Sequence, residues 1–379
     1  MDFMTANDSA TPKRIARRDF IKQAGLAAAS TAVLAQAAPV LALDATKPIV
    51  IAFVGCAHIH TPKYTGIIKR RSDVKVKCVY DHDHARAEKT AEQFGCPVVD
   101  DLKSIWSDPE IKAVVICSET DRHRDLVIAA ADAKKHMFAE KPLGFTSADS
   151  KAMADAIEKA GVLFTTGYFT RTDPTILFLK EQVEKGNFGK ITRVRASNCH
   201  NGSLGHWFDT EWRWMADPKI AGVGAFGDLG THKLDILMWM FGDVDSITAD
   251  IKVVTGNYGD CDESGEALMK FKNGITGTLG AGWVDVADPV TMMISGTEGH
   301  AHIDMGRLFF MSGKVPGADR LRPWTDLPQG LPDPMEQFLD AVGGKQGMPL
   351  VTPREAAARV SVMEAAYKGA KGQTWEKPA

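Results

Sequence analysis

The stretch Ile49-Val50-Ile51-Ala52-Phe53-Val54-Gly55-Cys56-Ala57-His58-Ile59-His60 decides the fold. Its first six residues are apolar without a break, the pattern of a strand buried on both faces, as in a parallel sheet covered by helices. Similar short runs return at residues 74–80, 97–99, 113–116, 136–139 and 162–166, with helical patterns between them at 85–94, 102–106, 126–133 and 148–160. Strands alternating with helices over this length predict a doubly wound α/β domain. Gly55 to His60 then falls where the first strand turns into the first helix, the place at which three spaced glycines let a backbone approach a pyrophosphate. Gly55 alone is kept. Ala57 is small enough for that approach, whereas His60 in the third position predicts a looser contact between helix and strand.

Asp81 closes the second strand, where a carboxylate can accept both ribose hydroxyls of an adenosine and repel a 2′-phosphate. NAD is therefore favoured, with His82, His84 and Arg86 leaving room for NADP; a helix N-cap is the other use for such an aspartate, and Asp83 has an equal claim to it. Later strands end in Cys117-Ser118-Glu119-Thr120-Asp121-Arg122-His123 and in Ala139-Glu140-Lys141-Pro142, and ligands of open α/β sheets bind at such carboxyl ends. Pro142 fixes the turn after Lys141, so the ammonium is held near a bound cofactor; a solvated rim lysine is the plainer alternative. His58, His60 and Cys56 have no carboxylate or second cluster beside them in sequence, so no metal site is expected.

The second half changes character. Residues 191–197, 247–254, 266–271, 275–279, 290–295 and 308–311 read as strands, and Lys272-Asn273-Gly274 reads as a hairpin turn, which together predict a large, mostly antiparallel open sheet. Against it lies a segment from Gly222 to Gly242 that is apolar nearly all round and is therefore a buried helix. Asp228 and His232, four apart, share one of its faces, and Asp235 lies a further turn along. Burying an imidazole and a carboxylate demands that they be paired; the pair serves either a structural purpose or the orientation of a general acid or base. Trp207, Trp212 and Trp214 precede this helix together with Asp209, Glu211 and Arg213, a composition suited to a sugar, with Trp207 and Arg213 as candidate contacts. Two capped helices, entered at Asp333-Pro334 and at Thr352-Pro353, end the chain.

The chain has 379 residues and a formal net charge of −3, which fits two globular domains and offers nothing to a nucleic acid. No body segment is long and apolar enough to span a bilayer. Arg17-Arg18 followed by an Ala-rich apolar stretch from Ala24 to Ala42 is a twin-arginine export pattern, so residues 1–44 are expected to be a leader and the protein to be periplasmic or otherwise exported. The remainder divides into a dinucleotide-binding domain over 45–170 and a substrate-binding and oligomerising domain over 171–379. The six cysteines show neither metal spacing nor a disulfide framework.

Gly55, Asp81, Glu140-Lys141-Pro142, Gly167-Tyr168-Phe169 with Arg171 and Pro174, Gly189-Lys190-Ile191 and Asp228-Leu229-Gly230-Thr231-His232 together resemble the Gfo/Idh/MocA family of nicotinamide-dependent oxidoreductases, in particular its exported glucose–fructose oxidoreductase branch. The resemblance implies a Rossmann domain followed by an α+β domain with an open sheet. It implies that Lys141, Asp228 and His232 form the catalytic group. It implies that Gly55, Asp81, Ser118 and Glu140 line the cofactor and that His123 is the histidine the family carries after its fourth strand. Ala57, His58, Ile59, His123 and Lys141 are expected beside the cofactor with them, and Arg171, Trp207, Arg213, Asp228 and His232 around the substrate. Two departures stand out: Ser118-Glu119 replaces the family's frequent Thr-Pro, and two fingerprint glycines are missing. The expected activity is hydride transfer between a sugar or polyol and NAD(P). Outside the cytoplasm no free nucleotide pool exists, so the cofactor is expected to stay bound and be recycled in the site. A redox-neutral glycoside hydrolase or epimerase using transient oxidation is the alternative, and a non-enzymatic dinucleotide sensor a third reading. An exposed sheet face predicts a homo-oligomer, a dimer or a tetramer.

Overall fold

The computed structural model describes residues 48–379, so the expected leader over 1–44 lies outside the described residues. In chain order the first layer comprises β1 (Ile49–Cys56), α1 (Thr61–Lys69), β2 (Val74–Tyr80), α2 (His84–Glu92), α3 (Leu102–Trp106), β3 (Ala113–Cys117), α4 (His123–Asp132), β4 (His136–Ala139), α5 (Ser147–Ala160) and β5 (Phe164–Thr165). Its five strands are all parallel in the order β2-β1-β3-β4-β5, the arrangement of a doubly wound sheet. Residues 97–99 do not form a strand; Val98 makes a single bridge to Val79 at the sheet margin. The helix α1 escaped the sequence pattern because its buried stripe is short, Tyr64, Ile67 and Ile68 with Thr61 and Thr65, although Pro62 at its start is a usual entry signal.

The second layer follows with α6 (Pro174–Glu184), β6 (Ile191–Cys199), α7 (Pro218–Ala221), α8 (Ala225–Phe241), β7 (Val244–Lys252), β8 (Ser264–Phe271), β9 (Thr276–Gly282), β10 (Val290–Gly296), β11 (Gly299–Asp304) and β12 (Arg307–Ser312). These seven strands form one sheet in the order β12-β11-β10-β6-β9-β8-β7, antiparallel throughout except where β6 runs parallel to β9. The strand β11 was not expected, since Gly-His-Ala-His-Ile-Asp alternates small and polar residues; Ala301 and Ile303 nonetheless point into the core.

The helix α8 lies on the inner face of this sheet, and 14 of its 17 residues are buried. A buried helix start needs partners for its free N–H groups, and Gly224 at the N-cap has no side chain to offer. Distant residues supply them. Asp262 accepts from Gly224 N at 3.1 Å and Phe226 N at 2.9 Å, its backbone carbonyl accepts from Ala225 N, and the Tyr367 hydroxyl accepts from Gly227 N at 3.0 Å.

The chain end returns to the first layer. On α9 (Pro334–Val342), Met335, Phe338 and Leu339 pack with Phe53, Tyr64 and Phe138, while the start of α10 (Pro353–Gly372) puts Ala357 and Val360 against the opposite face of the parallel sheet. A division at residue 170 thus separates the two sheets but not their cores, and the expected span 171–379 gives its last two helices partly to the first domain. A buried ion cluster sits at the same junction: Asp235 of α8 accepts from Arg171 Nε at 2.8 Å and from Arg359 Nε at 2.9 Å, and Glu355 takes the outer face of Arg171 at 2.9 Å.

Replacing Asp262 by alanine leaves Phe226 N without its acceptor and Gly224 N with only the Tyr367 hydroxyl at 3.2 Å, and is expected to lower stability by about 1–2 kcal/mol. Urea denaturation checks this, and an unchanged midpoint would show that water or the Tyr367 hydroxyl suffices.

Candidate active site

Two elements from different sheets meet at the site. The strand β4 ends in Ala139 and delivers Glu140 and Lys141, whose peptide bond to Pro142 is cis; the first turns of α8 deliver Asp228 and His232. Lys141 Nζ donates to Asp228 Oδ1 at 2.7 Å, with the lysine head almost wholly buried. Burial opposes ionisation of Asp228, but Lys141 overrides it by charge and hydrogen bond and holds the carboxyl down to about 2. The expected orientation of His232 by Asp228 is not what the structure shows: the carboxylate is committed to Lys141, and His232 Nδ1 is buried without a partner. The His232 ring is instead held by aromatic neighbours, Phe169 at 5.0 Å, Tyr168 at 6.1 Å and His60 at 6.2 Å between centroids. Burial, then the charges of Lys141 and His60, push its pKa well below 6.5, so the ring is neutral at pH 7.

Beside this group Glu140 has no exposed surface. Oε1 accepts from the Tyr64 hydroxyl and lies 3.1 Å from His60 Nδ1, while Oε2 accepts from Lys141 N at 2.8 Å and lies 3.8 Å from His58 Nε2. Burial pushes this carboxyl up, yet His58, His60 and Lys141 hold it well below its usual range. Tyr64, Phe169 and His60 were not singled out from sequence as site residues. Tyr64 follows His60 by one helical turn across the start of α1, a spacing that would have flagged it had α1 been recognised.

The glycine-poor turn after β1 is pinned rather than loose. His58 N donates to Cys117 O at 2.9 Å, and Trp214 Nε1 donates to Ala57 O at 3.1 Å, so a tryptophan of the second layer holds the loop of the first. Gly55 has φ +87°, and a Cβ there would lie 2.6 Å from Ser118 Cβ. Between them, at the strand ends, opens a cleft of about 380 Å³ lined by Gly55, Tyr80, His82, Leu102, Ser118 and Arg122 among others, ample for an adenosine. The backbone approach at Gly55 and the cleft fit a dinucleotide, whereas Asp81, between the lining residues Tyr80 and His82, is itself buried. Asp83, not Asp81, caps α2, accepting from Arg86 N at 3.2 Å. Asp81 accepts from Cys56 N at 2.6 Å and pairs with the Arg86 fork at 2.7 and 2.9 Å; Arg86 also reaches Glu119 at 2.8 Å. Asp81 would hold ribose hydroxyls only if the Arg86 guanidinium shared or gave up its place.

Two residues expected around ligands are used elsewhere. His123 is fully buried; its Nδ1 lies 3.1 Å from both Pro142 O and Leu143 O and its Nε2 3.3 Å from Ser118 O, so it braces the turn behind Lys141 instead of facing the cofactor cleft. Arg171 belongs to the Asp235 cluster and stacks on Trp239, 5.1 Å from its centroid. Of the sugar candidates, Trp207 is 44% exposed and stacks on His200 at 4.7 Å. His200 in turn feels Asp228: burial lowers its pKa against the pull of that carboxylate. Arg213 is exposed and lies over Tyr258, 4.7 Å from the ring centroid. Ile59 packs into the second core beside the same loop.

Comparison with known proteins agrees with this fold. Residues 49–168 match the model of an oxidoreductase family with an NAD-binding Rossmann fold, and residues 176–302 match the GFO/IDH/MocA C-terminal domain. Levoglucosan dehydrogenase of Pseudarthrobacter phenanthrenivorans is 29% identical over 248 residues, 59% of this chain and 63% of that protein. Myo-inositol 2-dehydrogenase of Thermotoga maritima is 31% identical over 222 residues, 56% of this chain and 62% of the relative. The chain thus aligns with less than two thirds of the length of either. A levoglucosan dehydrogenase structure in complex with NADH and levoglucosan superposes with a TM-score of 0.74 at 22% identity, over 88% of this chain and 100% of that one, which establishes the shared fold.

Because Gly55 combines positive φ with a close approach to Ser118, Gly55→Ala strains the turn that meets the dinucleotide. It is expected to weaken NAD binding about tenfold or more in a fluorescence titration; wild-type affinity would place the pyrophosphate away from this turn.

Proposed function

From the premise that the chain belongs to the Gfo/Idh/MocA family of oxidoreductases, we propose that it moves a hydride between a secondary alcohol carbon of a sugar or polyol and a tightly held NAD. The observation that carries this reading is the Lys141–Asp228 ion pair on the same helix face as His232, whose buried Nδ1 lacks a partner. A secondary alcohol sheds its hydroxyl proton as its hydride leaves, and the site needs a proton acceptor together with a fixed positive charge for the developing alkoxide. NAD, when bound, takes up or returns the hydride. His232, neutral and unpartnered at Nδ1, accepts the proton. Lys141 supplies the charge, and Asp228 fixes where that charge sits. Trp207, stacked on His200, offers a ring to the CH face of a sugar.

The twin-arginine pattern supports export, in the manner of glucose–fructose oxidoreductase, with the nucleotide bound before transport and retained through turnover. An outward sheet face that carries Leu268 and Met311 among charged residues supports association of copies of the chain.

His232→Ala leaves the Lys141–Asp228 charges balanced, so the fold and bound nucleotide are expected to survive while the chemical step slows about 10²–10⁴-fold. Single-turnover absorbance of the nicotinamide reads this, and an unslowed variant removes His232 from the mechanism. Since the His232 pKa lies below 6.5, the ring stays unprotonated as pH falls through that value, and kcat/KM is expected to be flat from about pH 8 to 6.5. An acid limb centred on 6.5 contradicts the burial argument. Protein purified without added nucleotide is expected to release close to one NAD per chain on denaturation; an empty protein that consumes added NAD stoichiometrically excludes the closed cycle.

A further inference from the structure

Glu140 poses an electrostatic problem that hydride transfer does not explain. It is a carboxylate with no exposed surface, and a buried charge persists when it is paired with a cation or bound to a metal. Lys141 is the obvious cation, but its head group is committed to Asp228 at 2.7 Å. Among the described residues no lysine or arginine head group forms an ion pair with Glu140; its side-chain neighbours are Tyr64, His58 and His60. Both imidazoles come from the turn after β1, and His60 occupies the third fingerprint position, where a dinucleotide needs no side chain.

The donor atoms converge. One ring nitrogen each of His58 and His60 and a Glu140 carboxylate oxygen all lie within 4.8 Å of one another, with His58 Nε2 3.8 Å and His60 Nδ1 3.1 Å from the carboxylate. Ligands about 2.0–2.2 Å from one tetrahedral ion sit roughly 3.3 Å apart, so small side-chain rotations close the set. We propose that His58, His60 and Glu140 bind one divalent transition-metal ion, with zinc as the best match to two imidazoles and a carboxylate. Three protein ligands leave a coordination position for a water or a substrate oxygen, and the set adjoins Lys141 and His232. The support around it is that of a prepared site. Tyr64 donates to Glu140 as an outer-shell partner, and the turn carrying both histidines is tied down by the Cys117 carbonyl and the Trp214 indole. One existing contact must open: His60 N donates to His58 Nδ1 at 3.2 Å, so loading moves the His58 ring proton from Nε2 to Nδ1. Sequence spacing gave no hint of this set because its carboxylate arrives from β4 and not from the histidine loop.

The proposal does not depend on the hydride-transfer reading and has its own readouts. Full-length protein, as purified and then treated with a chelator, is titrated with Zn²⁺ alone in a calorimeter. One site per chain with micromolar or tighter affinity is expected, together with a zinc-dependent rise in melting temperature. His60→Gly and His58→Gln are each expected to weaken binding about 100-fold or more, beyond the effect of losing an outer-shell partner. His84→Ala, at an exposed histidine elsewhere, leaves it unchanged. Should the loop variants fail to fold, X-ray absorption at the zinc edge of the wild-type protein decides, with two imidazoles, oxygen and no sulfur expected. Absence of a millimolar or tighter site, affinity unchanged in a folded His60→Gly protein, or sulfur ligation overturns the proposal.

Discussion

Lys141 stands at the end of the fourth parallel strand and Asp228 in the first turn of the buried helix, and each is a charge the interior cannot hold alone. Their contact at 2.7 Å joins the dinucleotide-binding sheet to the open sheet at the point where chemistry is expected. Much of the nearby structure serves to hold these two residues. His123 braces the turn behind Lys141, and Asp262 and Tyr367 satisfy the start of α8 that carries Asp228. Two turns of helix further on, Asp235 and its two arginines repeat the same solution with full pairing, fixing α8 to the returning C-terminal helix. Breaking any one such buried pair leaves an uncompensated charge, which is why the cost falls on geometry as well as stability.

Elements with an unambiguous period could be read from the sequence. Unbroken apolar runs at 49–54 and 113–116 gave the parallel sheet, and the all-round apolar segment through Trp239 gave α8. What escaped has a physical reason in each case. The strand β11 carries polar residues on its outward face, α1 has only a short buried stripe of Tyr64, Ile67 and Ile68 mixed with threonines, and 97–99 begins with Pro97, which has no N–H to donate, and makes one bridge. The last two helices were recognised as helices, but which sheet they would cover depends on tertiary packing that local pattern does not encode.

The candidate site shows the same division. Asp228 and His232 on one helix face, and Lys141 at a strand end, followed from spacing. Their pairing did not: spacing four residues apart suggested an Asp228–His232 couple, while the stronger attraction of a buried ammonium drew Asp228 to Lys141 and left the imidazole free. Arg171 and His123 were assigned to ligands because they lie in matching motifs, yet neighbours remote in sequence, Asp235 in one case and the Pro142 and Leu143 carbonyls in the other, claim them. Glu140 is the converse, since its two histidine neighbours lie eighty residues away and only the fold brings them together.

The central claim is that this arrangement carries hydride between a sugar carbon and the nicotinamide. Its most direct measurement is isotopic: hexoses and inositols deuterated at the ring carbons are each given to the purified protein with its bound NAD for a single turnover, and the nucleotide is released by denaturation and weighed. The account expects one deuterium on the reduced nicotinamide with any sugar that is oxidised. Oxidised product accompanied by a nucleotide free of deuterium would contradict it.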